Sequence, residues 1–203
     1  MRTSISIIAI VIGLGLASFT KPKTLTITST AFANNGTIPV KYTCMGGEFS
    51  PPLHIAGVPP GTRSLAIVVF DPDVEKRVPL PPQPAKRTAG KKGKKAKPVP
   101  MESRGHTVIC GFTHWILWNI DPGTVDLPEN FRSDHVGMNS AGERNYKGMC
   151  PPSGTHRYHF MVYALDTEVN IDVKSDKAAL EKVIEGHILG KGELIGSYNK
   201  TYK

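Results

Sequence analysis

The chain has 203 residues, 39% of them hydrophobic and 21% charged, which is ordinary for a globular protein and predicts one domain with a substantial core. The 17 prolines and 20 glycines favour many turns and short strands over long helices. The formal net charge of +8 points to nucleic acid, but residues 75–104 alone hold ten Lys or Arg and two Glu, which accounts for the whole excess. We therefore expect no nucleic-acid partner.

Residues 1–20 have one basic residue, an apolar run from Ile5 to Ala17 and then small residues. The run is shorter than the roughly 20 residues of a membrane span, and the pattern is typical of a secretory signal peptide cleaved near residues 17–19. It predicts export to the periplasm or the extracellular space. The alternative is an uncleaved anchor that holds the protein at the membrane.

Four segments are predicted to form strands from their alternating or continuous apolar character. In chain order they are Lys23–Ser29, Ser64–Phe70, Gly105–Ile120 and Tyr158–Leu165, with shorter strands at Ile38–Tyr42 and Glu193–Tyr198. Ser64–Phe70 is apolar throughout, which predicts a central strand buried on both faces. The helical spacing of Leu180, Ile184 and Ile188 predicts one amphipathic helix over Ser175–Gly190.

Residues 75–104 are rich in Pro, Lys, Arg and Gly and lack the apolar content that would offset the entropy of ordering them. They are predicted to be a flexible basic insertion within one domain spanning residues 23–203.

The chain has three cysteines, Cys44, Cys110 and Cys150. In an exported protein an odd number predicts one disulfide and one spare thiol. Cys44 and Cys150 are the preferred pair because both lie in loops rich in Gly and Pro. Three reduced thiols remain the alternative.

Polar side chains occur at three predicted strand ends: Asp71 follows the first buried strand, His114 lies in the next, and His156 and Tyr158 begin a third. If these strands are neighbours, imidazole N–H and phenol O–H groups could converge on a small anion. These residues also have structural interpretations: Asp71-Pro72-Asp73 could form an ordinary turn, and His114 could be a histidine of the core. Arg157, which follows His156, is expected to pair with a carboxylate.

Most enzyme patterns are missing from the sequence. The serine of Gly137–Gly142 is misplaced for a nucleophile elbow, and Cys150, followed by two prolines, lacks a helix N-terminus that would activate it. We expect a protein without catalytic activity, cofactor or metal. A hydrolase or metal enzyme using His114, His156 and Asp71 is left open.

Several motifs together resemble the phosphatidylethanolamine-binding protein family, in its bacterial and archaeal Raf-kinase-inhibitor-like branch. They are Asp71-Pro72-Asp73, Thr113-His114-Trp115 and Cys150-Pro-Pro-Ser-Gly-Thr-His-Arg-Tyr158, with Tyr42-Thr43-Cys44 and Ser50-Pro-Pro-Leu53. The resemblance implies a mainly β fold of two packed antiparallel sheets with a few short peripheral helices, one of them near the C-terminus. It also implies a pocket for phosphate or a phospholipid head group, and a binding protein or a kinase or protease regulator.

Carried over by motif, the resemblance assigns Asp71, His114, His156 and Tyr158 to this pocket, and Pro72 and Gly148 to its rim. Two departures bear on the rim: the family's Asp-Pro-Asp-Ala-Pro reads Asp-Pro-Asp-Val-Glu over 71–75, and its Gly-Pro-Cys reads Gly-Met-Cys over 148–150. The basic insertion would emerge beside the pocket, where it could attract an anionic membrane surface or an acidic partner. The alternative is a solvated insertion without a role.

Overall fold

The computed structural model describes residues 21–79 and 106–200, and for 76–79 and 106–110 it describes the backbone alone. The described residues form nine strands, one α-helix and one short 3-10 turn. In chain order these are β1 (Lys23–Thr24), β2 (Thr26–Thr28), β3 (Gly36–Thr37), the 3-10 turn (Val40–Tyr42), β4 (Leu53–Ala56), β5 (Ser64–Pro79), β6 (His106–Ile120), β7 (Asp126–Leu127), β8 (Thr155–Leu165), α1 (Lys177–Ile184) and β9 (Ile188–Asn199).

The strands form two sheets. The larger has the order β1-β9-β8-β5-β6, with β3 also paired to β9, and the smaller has the order β2-β4-β7. The long strands pair antiparallel, while the two-residue strands β1 and β3 run parallel to β9. The predicted mainly β fold of two packed sheets with a helix near the C-terminus is confirmed.

Apolar side chains cover both faces of the larger sheet. On the inner face, residues such as Ile67 and Phe160 pack against Ile55 of the smaller sheet. On the outer face, Trp118 packs with Leu180 of α1. Because β5 lies between β6 and β8 and both faces are covered, its residues 64–69 are at most 1% exposed, as the continuous apolar run predicted.

The helix is shorter than the sequence pattern predicted. It begins after Asp176, whose side chain accepts a hydrogen bond from the Ala179 N–H, and it ends at Ile184. Gly186 has a φ of 84°, a left-handed conformation that favours glycine and ends helices. The prediction that the helix reaches Gly190 was therefore wrong.

The predicted short strand at Ile38–Tyr42 is also wrong, because Val40–Tyr42 forms a 3-10 turn. Pro39 immediately precedes the turn and has no N–H to donate to a neighbouring strand. Ile38 is still buried, at 1% exposure.

The predicted insertion at 75–104 begins too early. The backbone of Glu75–Pro79 continues β5 and pairs with His106–Cys110, so hydrogen bonding to the neighbouring strand orders this part of the backbone. The rest of the insertion and the predicted signal peptide at 1–20 lie outside the described residues. Within the described part of the chain, no helix is both long enough and apolar enough to cross a membrane.

Candidate functional site

The β5–β6 hairpin contains an extra residue at His114. Pairing passes from Val69–Trp115 directly to Phe70–Thr113, so no residue of β5 lies opposite His114. A β-bulge of this kind redirects a side chain. The His114 ring meets the ring of Tyr158 edge-on at 5.3 Å between centroids, on the inner face where the adjacent Trp115 also packs.

A second irregularity places Asp71. Between the pairs made by Asp71 and Glu75, residues 72–74 of β5 lie opposite the single Gly111 of β6. Gly111 has a φ of 93°, which favours glycine. In the resulting turn the backbone N–H of Asp73 donates to Asp71 Oδ1 at 2.8 Å. The Asp-Pro-Asp segment therefore fixes the first carboxylate of the site through its own backbone.

The structure brings four of the predicted residues together, and we refer to Asp71, His114, His156 and Tyr158 as the His–Asp–Tyr cluster. All four are buried, with exposures of 1%, 4%, 7% and 0%. His156 Nδ1 lies 2.8 Å from Asp71 Oδ2, and His114 Nδ1 lies 2.8 Å from the carbonyl oxygen of Lys147. Each imidazole is thus held at one nitrogen.

These contacts determine which nitrogen of His114 carries the proton. A carbonyl oxygen can only accept, so His114 Nδ1 donates to Lys147 and Nε2 of the neutral ring is an acceptor. Burial lowers the pKa of His114 to about 4, so the ring is neutral at pH 7. The expectation that a neutral imidazole would donate to a bound anion is therefore wrong for His114, because its N–H is already used.

The outward nitrogens of both imidazoles remain available. Among the described residues, His114 Nε2 and His156 Nε2 make no hydrogen bond, and neither is among the fully buried polar atoms that lack a partner, so both contact solvent. The cluster thus offers two nitrogen atoms to a small ligand.

The hydroxyl of Tyr158 is fully buried and has no hydrogen-bond partner of good geometry within residues 21–79 and 106–200. Burial, and secondarily the charge of Asp71 and a side-chain hydrogen bond to that carboxylate that falls short of good geometry, raise the pKa of Tyr158, so the hydroxyl keeps its proton at neutral pH. An unpartnered buried hydroxyl is costly, and such groups in folded proteins call for an explanation. A ligand in the cluster would supply the partner.

Arg157 pairs with a carboxylate, as the sequence suggested. Its Nε and Nη2 donate to the two oxygens of Asp73 at 3.0 and 2.7 Å, and its backbone N–H donates to the same side chain at 2.9 Å. The Arg157 hydrogen bond lowers the pKa of Asp73 to about 2. This contact joins the bulge of β5 to the start of β8 and so holds Asp71 beside His156.

The structure places one of the two predicted rim residues in the bulge of β5 and the other where two backbone segments approach closely. Pro72 is half-buried within the bulge. Gly148 is buried, and a Cβ at this position would lie 2.7 Å from the carbonyl carbon of Thr43, so the close approach of two backbones requires glycine. A disulfide joins Cys44 to Cys150, the preferred pair, with a Cα–Cα distance of 5.5 Å. Cys150 is therefore not a free nucleophile.

A separate cavity of about 280 Å³ lies between segments 47–50 and 130–136 and includes none of the four cluster residues. Two of its polar groups already have partners: the Arg144 guanidinium donates to the carbonyls of Val136 and Asp134, and the Tyr146 hydroxyl donates to the Tyr42 carbonyl. The His–Asp–Tyr cluster is the better candidate because three of its polar atoms, Nε2 of both histidines and the Tyr158 hydroxyl, make no hydrogen bond of good geometry within the described residues.

The sequence interpretation missed two contributors to the cluster. The ring of Phe112 lies against His114 at 4.8 Å between centroids, and the backbone of Lys147 sets the tautomer. No side-chain pattern could have indicated a backbone carbonyl. Within the described residues no group of three or more His, Cys, Asp or Glu side chains is placed to hold a metal ion.

The phosphatidylethanolamine-binding protein family model matches residues 28–89 and 96–199, which include all four cluster residues. The chain belongs to this family. A UPF0098 protein of Pyrococcus horikoshii is 36% identical over 94% of this chain and 85% of its own length.

Two solved structures share the fold. A Chlamydia trachomatis protein described as a homologue of phosphatidylethanolamine-binding protein has a TM-score of 0.68 and 33% identity, covering 88% of this chain and 99% of its own. YbcL of Escherichia coli, described as a new member of the mammalian family, has a TM-score of 0.66 and 24% identity, covering 87% of this chain and 99% of its own. The E. coli protein is similar in fold alone.

Proposed function

We propose that this protein is a non-enzymatic binding protein whose His–Asp–Tyr cluster takes a phosphate-bearing small ligand or a phospholipid head group. The observation that carries the proposal is the buried hydroxyl of Tyr158, which makes no hydrogen bond of good geometry within the described residues, beside two imidazoles whose Nε2 atoms contact solvent. Phosphate oxygens are good acceptors for such a hydroxyl. The family to which the chain belongs is named for binding a phospholipid, which supports this ligand class.

The hydrogen bond between Asp71 and His156 is also the arrangement in which a carboxylate orients a general base. A nucleophile would have to accompany it for covalent catalysis, and Cys150, the candidate from the sequence, is bonded to Cys44. Binding without turnover is therefore the function that these contacts support best.

Titration with inorganic phosphate and phosphoethanolamine, followed by NMR of the histidine ring signals, tests the proposal. His187 is a matched internal control, because its Nδ1 lies 2.8 Å from Asp166 as that of His156 does from Asp71, but on the exposed surface. We expect saturable shifts of His114 and His156 and none of His187. Equal shifts of all three rings, or none at millimolar ligand, would refute the proposal.

The same samples report on turnover. Phosphorus NMR of phosphoethanolamine during the titration should show no release of inorganic phosphate. The variant His156→Gln should lose the ring shift of His114, whereas His187→Gln should keep it. Release of phosphate that depends on His156 would identify a phosphatase instead.

We further propose that the protein is exported. The disulfide between Cys44 and Cys150 supports export, since disulfides persist mainly in oxidising compartments. N-terminal sequencing of the protein from fractionated cells tests this. A start after residue 17, 18 or 19 in the exported fraction is expected, and intact protein in the cytoplasm would refute it.

A further inference from the structure

We infer that the protein has a second ligand site, in the cavity of about 280 Å³ between segments 47–50 and 130–136, and that this site binds a small organic carboxylate carrying an apolar ring. The cavity includes none of the residues of the His–Asp–Tyr cluster, so the inference is independent of the proposed function. Its volume lies near the lower limit of about 300 Å³ for small-molecule pockets, so the ligand is small.

Two almost fully buried side chains bring hydrogen-bond donors to the cavity. Trp115 is 2% exposed, and its indole N–H makes no hydrogen bond within the described residues, yet the nitrogen is not closed off from solvent. Because so little of Trp115 is exposed and its side chain lines the cavity, this N–H meets solvent there. Ser50 is 1% exposed, and its Oγ accepts from the Phe131 N–H at 3.1 Å, but its own hydrogen has no acceptor in the described part of the chain. A ligand that offers acceptor atoms would satisfy both donors.

A chain of amides determines which end of the Asn145 side chain is free. The backbone N–H groups of Ala141 and Glu143 donate to Asn139 Oδ1, so the other end of that amide is its donor. Asn139 Nδ2 in turn donates to Asn145 Oδ1 at 3.0 Å. The acceptor of Asn145 is therefore used, and its Nδ2 group remains as a further donor in the lining of the cavity.

Two guanidinium groups make the lining of the cavity positive. Backbone carbonyls hold Nε and Nη2 of Arg144 in place, and because carbonyls are neutral they leave its charge uncompensated. Arg132 also lines the cavity, and within residues 21–79 and 106–200 its guanidinium has no partner. The acidic side chain in the lining, Glu48, lies 3.6 Å from Lys147 Nζ, which offsets its charge. Free donors and positive charge together favour an anion that only accepts hydrogen bonds, and a carboxylate is such a group.

Aromatic rings form the apolar part of the lining. They belong to Phe49, Trp115, Phe131 and Tyr146. The rings of Trp115 and Tyr146 meet edge-on at 5.7 Å between centroids, whereas Phe49 and Phe131 are only partly buried against the core and keep ring surface for a ligand. An inorganic anion would leave this surface unused, but an apolar ring beside the carboxylate would bury it. The lining as a whole therefore matches a carboxylate attached to a ring.

The backbone of the lining is strained at two positions. Glu48 and Asn130 have φ angles of 52° and 56°, in the left-handed region that residues other than glycine adopt at a cost. Strain of this kind persists where the surrounding structure holds it, and it is concentrated at ligand and active sites. The Ser50-Pro-Pro-Leu53 motif, which contributes nothing to the His–Asp–Tyr cluster, begins at this lining.

NMR of the tryptophan indole N–H signals of the full chain tests the inference. Trp118 is the internal control, because it is as buried as Trp115, at 1% exposure, but packs with α1 on the outer face of the larger sheet. Benzoate supplies the carboxylate and the ring, acetate the carboxylate alone, and benzyl alcohol the ring alone. We expect benzoate at millimolar concentration to shift the Trp115 signal saturably and to leave Trp118 unmoved, with acetate and benzyl alcohol each binding at least about tenfold more weakly.

Several outcomes of these titrations would overturn the inference. One is the absence of a saturable shift of Trp115 with benzoate, and another is an equal shift of Trp118. Equal binding of acetate would remove the role of the rings, and equal binding of benzyl alcohol would remove the role of the charge, so either result overturns the assigned ligand class.

Two variants locate the benzoate in the cavity. Asn145→Asp keeps the oxygen that accepts from Asn139 Nδ2 but replaces the free donor with a charged oxygen, so it should weaken benzoate binding about tenfold or more while Tm is unchanged. Arg132→Gln removes an unpaired cation from the lining and should weaken binding about fivefold or more. Arg63→Gln is its matched control, since Arg63 is also exposed but does not line the cavity, and it should bind benzoate as wild type does. Unchanged binding in both Asn145→Asp and Arg132→Gln would overturn the inference.

A competition experiment separates this site from the His–Asp–Tyr cluster. Saturating inorganic phosphate should leave the benzoate titration of Trp115 unchanged. Competition between the two anions would place benzoate in the cluster and overturn the inference. Binding of benzoate without any binding of phosphate would instead count against the proposed function alone.

Discussion

Replacing Tyr158 with phenylalanine is expected to stabilise the unliganded protein while weakening phosphate binding. The ring keeps its edge-on contact with His114, and only a fully buried hydroxyl without a hydrogen bond of good geometry is lost. Burying an unpaired hydroxyl costs about 1–3 kcal/mol in proteins. Because the nearby Asp71 compensates part of this cost, we expect Tyr158→Phe to gain about 1 kcal/mol of unfolding free energy, or about 2–4 °C in Tm for a domain of this size.

Urea denaturation and thermal unfolding measure this gain, and calorimetry with phosphate measures the loss of binding, which should be about tenfold or more for a hydrogen bond to a charged oxygen. Tyr146→Phe is the matched control, since its buried hydroxyl donates to the Tyr42 carbonyl at 3.1 Å, and its removal should cost about 1–2 kcal/mol. If Tyr158→Phe were destabilised as much as Tyr146→Phe, the hydroxyl of Tyr158 would have a partner in the free protein and the reasoning would be refuted.

Three further predictions concern acid stability and the disulfide. Asp73→Asn should lower the unfolding free energy by about 1 kcal/mol at pH 7, a small loss because the pair with Arg157 is partly exposed. In urea titrations the difference from wild type should vanish as the pH falls from about 4 to about 2, where the Asp73 carboxylate is protonated. An unchanged difference at pH 2 would contradict the assigned pair. The buried ring of His114 binds a second proton less readily than in the unfolded chain. The unfolding free energy of wild type should therefore fall by up to about 3 kcal/mol between pH 6.5 and 4, and that of His114→Gln should fall by less. Parallel pH profiles of the two proteins would exclude this cause. Removing both Cys44 and Cys150, which are 106 positions apart, should cost up to about 4–5 kcal/mol by the chain-entropy model, and a thermal midpoint of wild type that does not respond to reductant would argue against the bond.

Much of the fold could be predicted from local pattern. The apolar run at Ser64–Phe70 identified the central strand, because a strand covered on both faces needs no polar alternation. The end of the helix could not be placed, because the helical spacing of Val183 and Ile184 continues to Ile188, which belongs to β9. The left-handed Gly186, between α1 and β9, ends the helix before that point. Nor did pattern show that residues 75–79 pair with another strand.

The candidate site was predictable in its residues but not in its chemistry. His156 and Tyr158 lie at alternate positions of β8 and so share a face, which the period of a strand predicts. His114 joins them because of a bulge that strand alternation does not predict. The tautomer of its ring depends on the Lys147 carbonyl, and a backbone group 33 positions away leaves no signal in the sequence.

The extra residue at His114 makes the site sensitive to the number of residues in β6 as well as to their identity. Deleting Thr113 would keep every residue of the cluster, yet it would remove the bulge opposite Val69 and Phe70 of β5 and allow the imidazole to turn to the opposite face of the sheet. In alignments of relatives, a one-residue gap at this position would therefore mark loss of the site even where all four side chains are retained. A designer who moves the cluster to another sheet must transfer the bulge along with the residues.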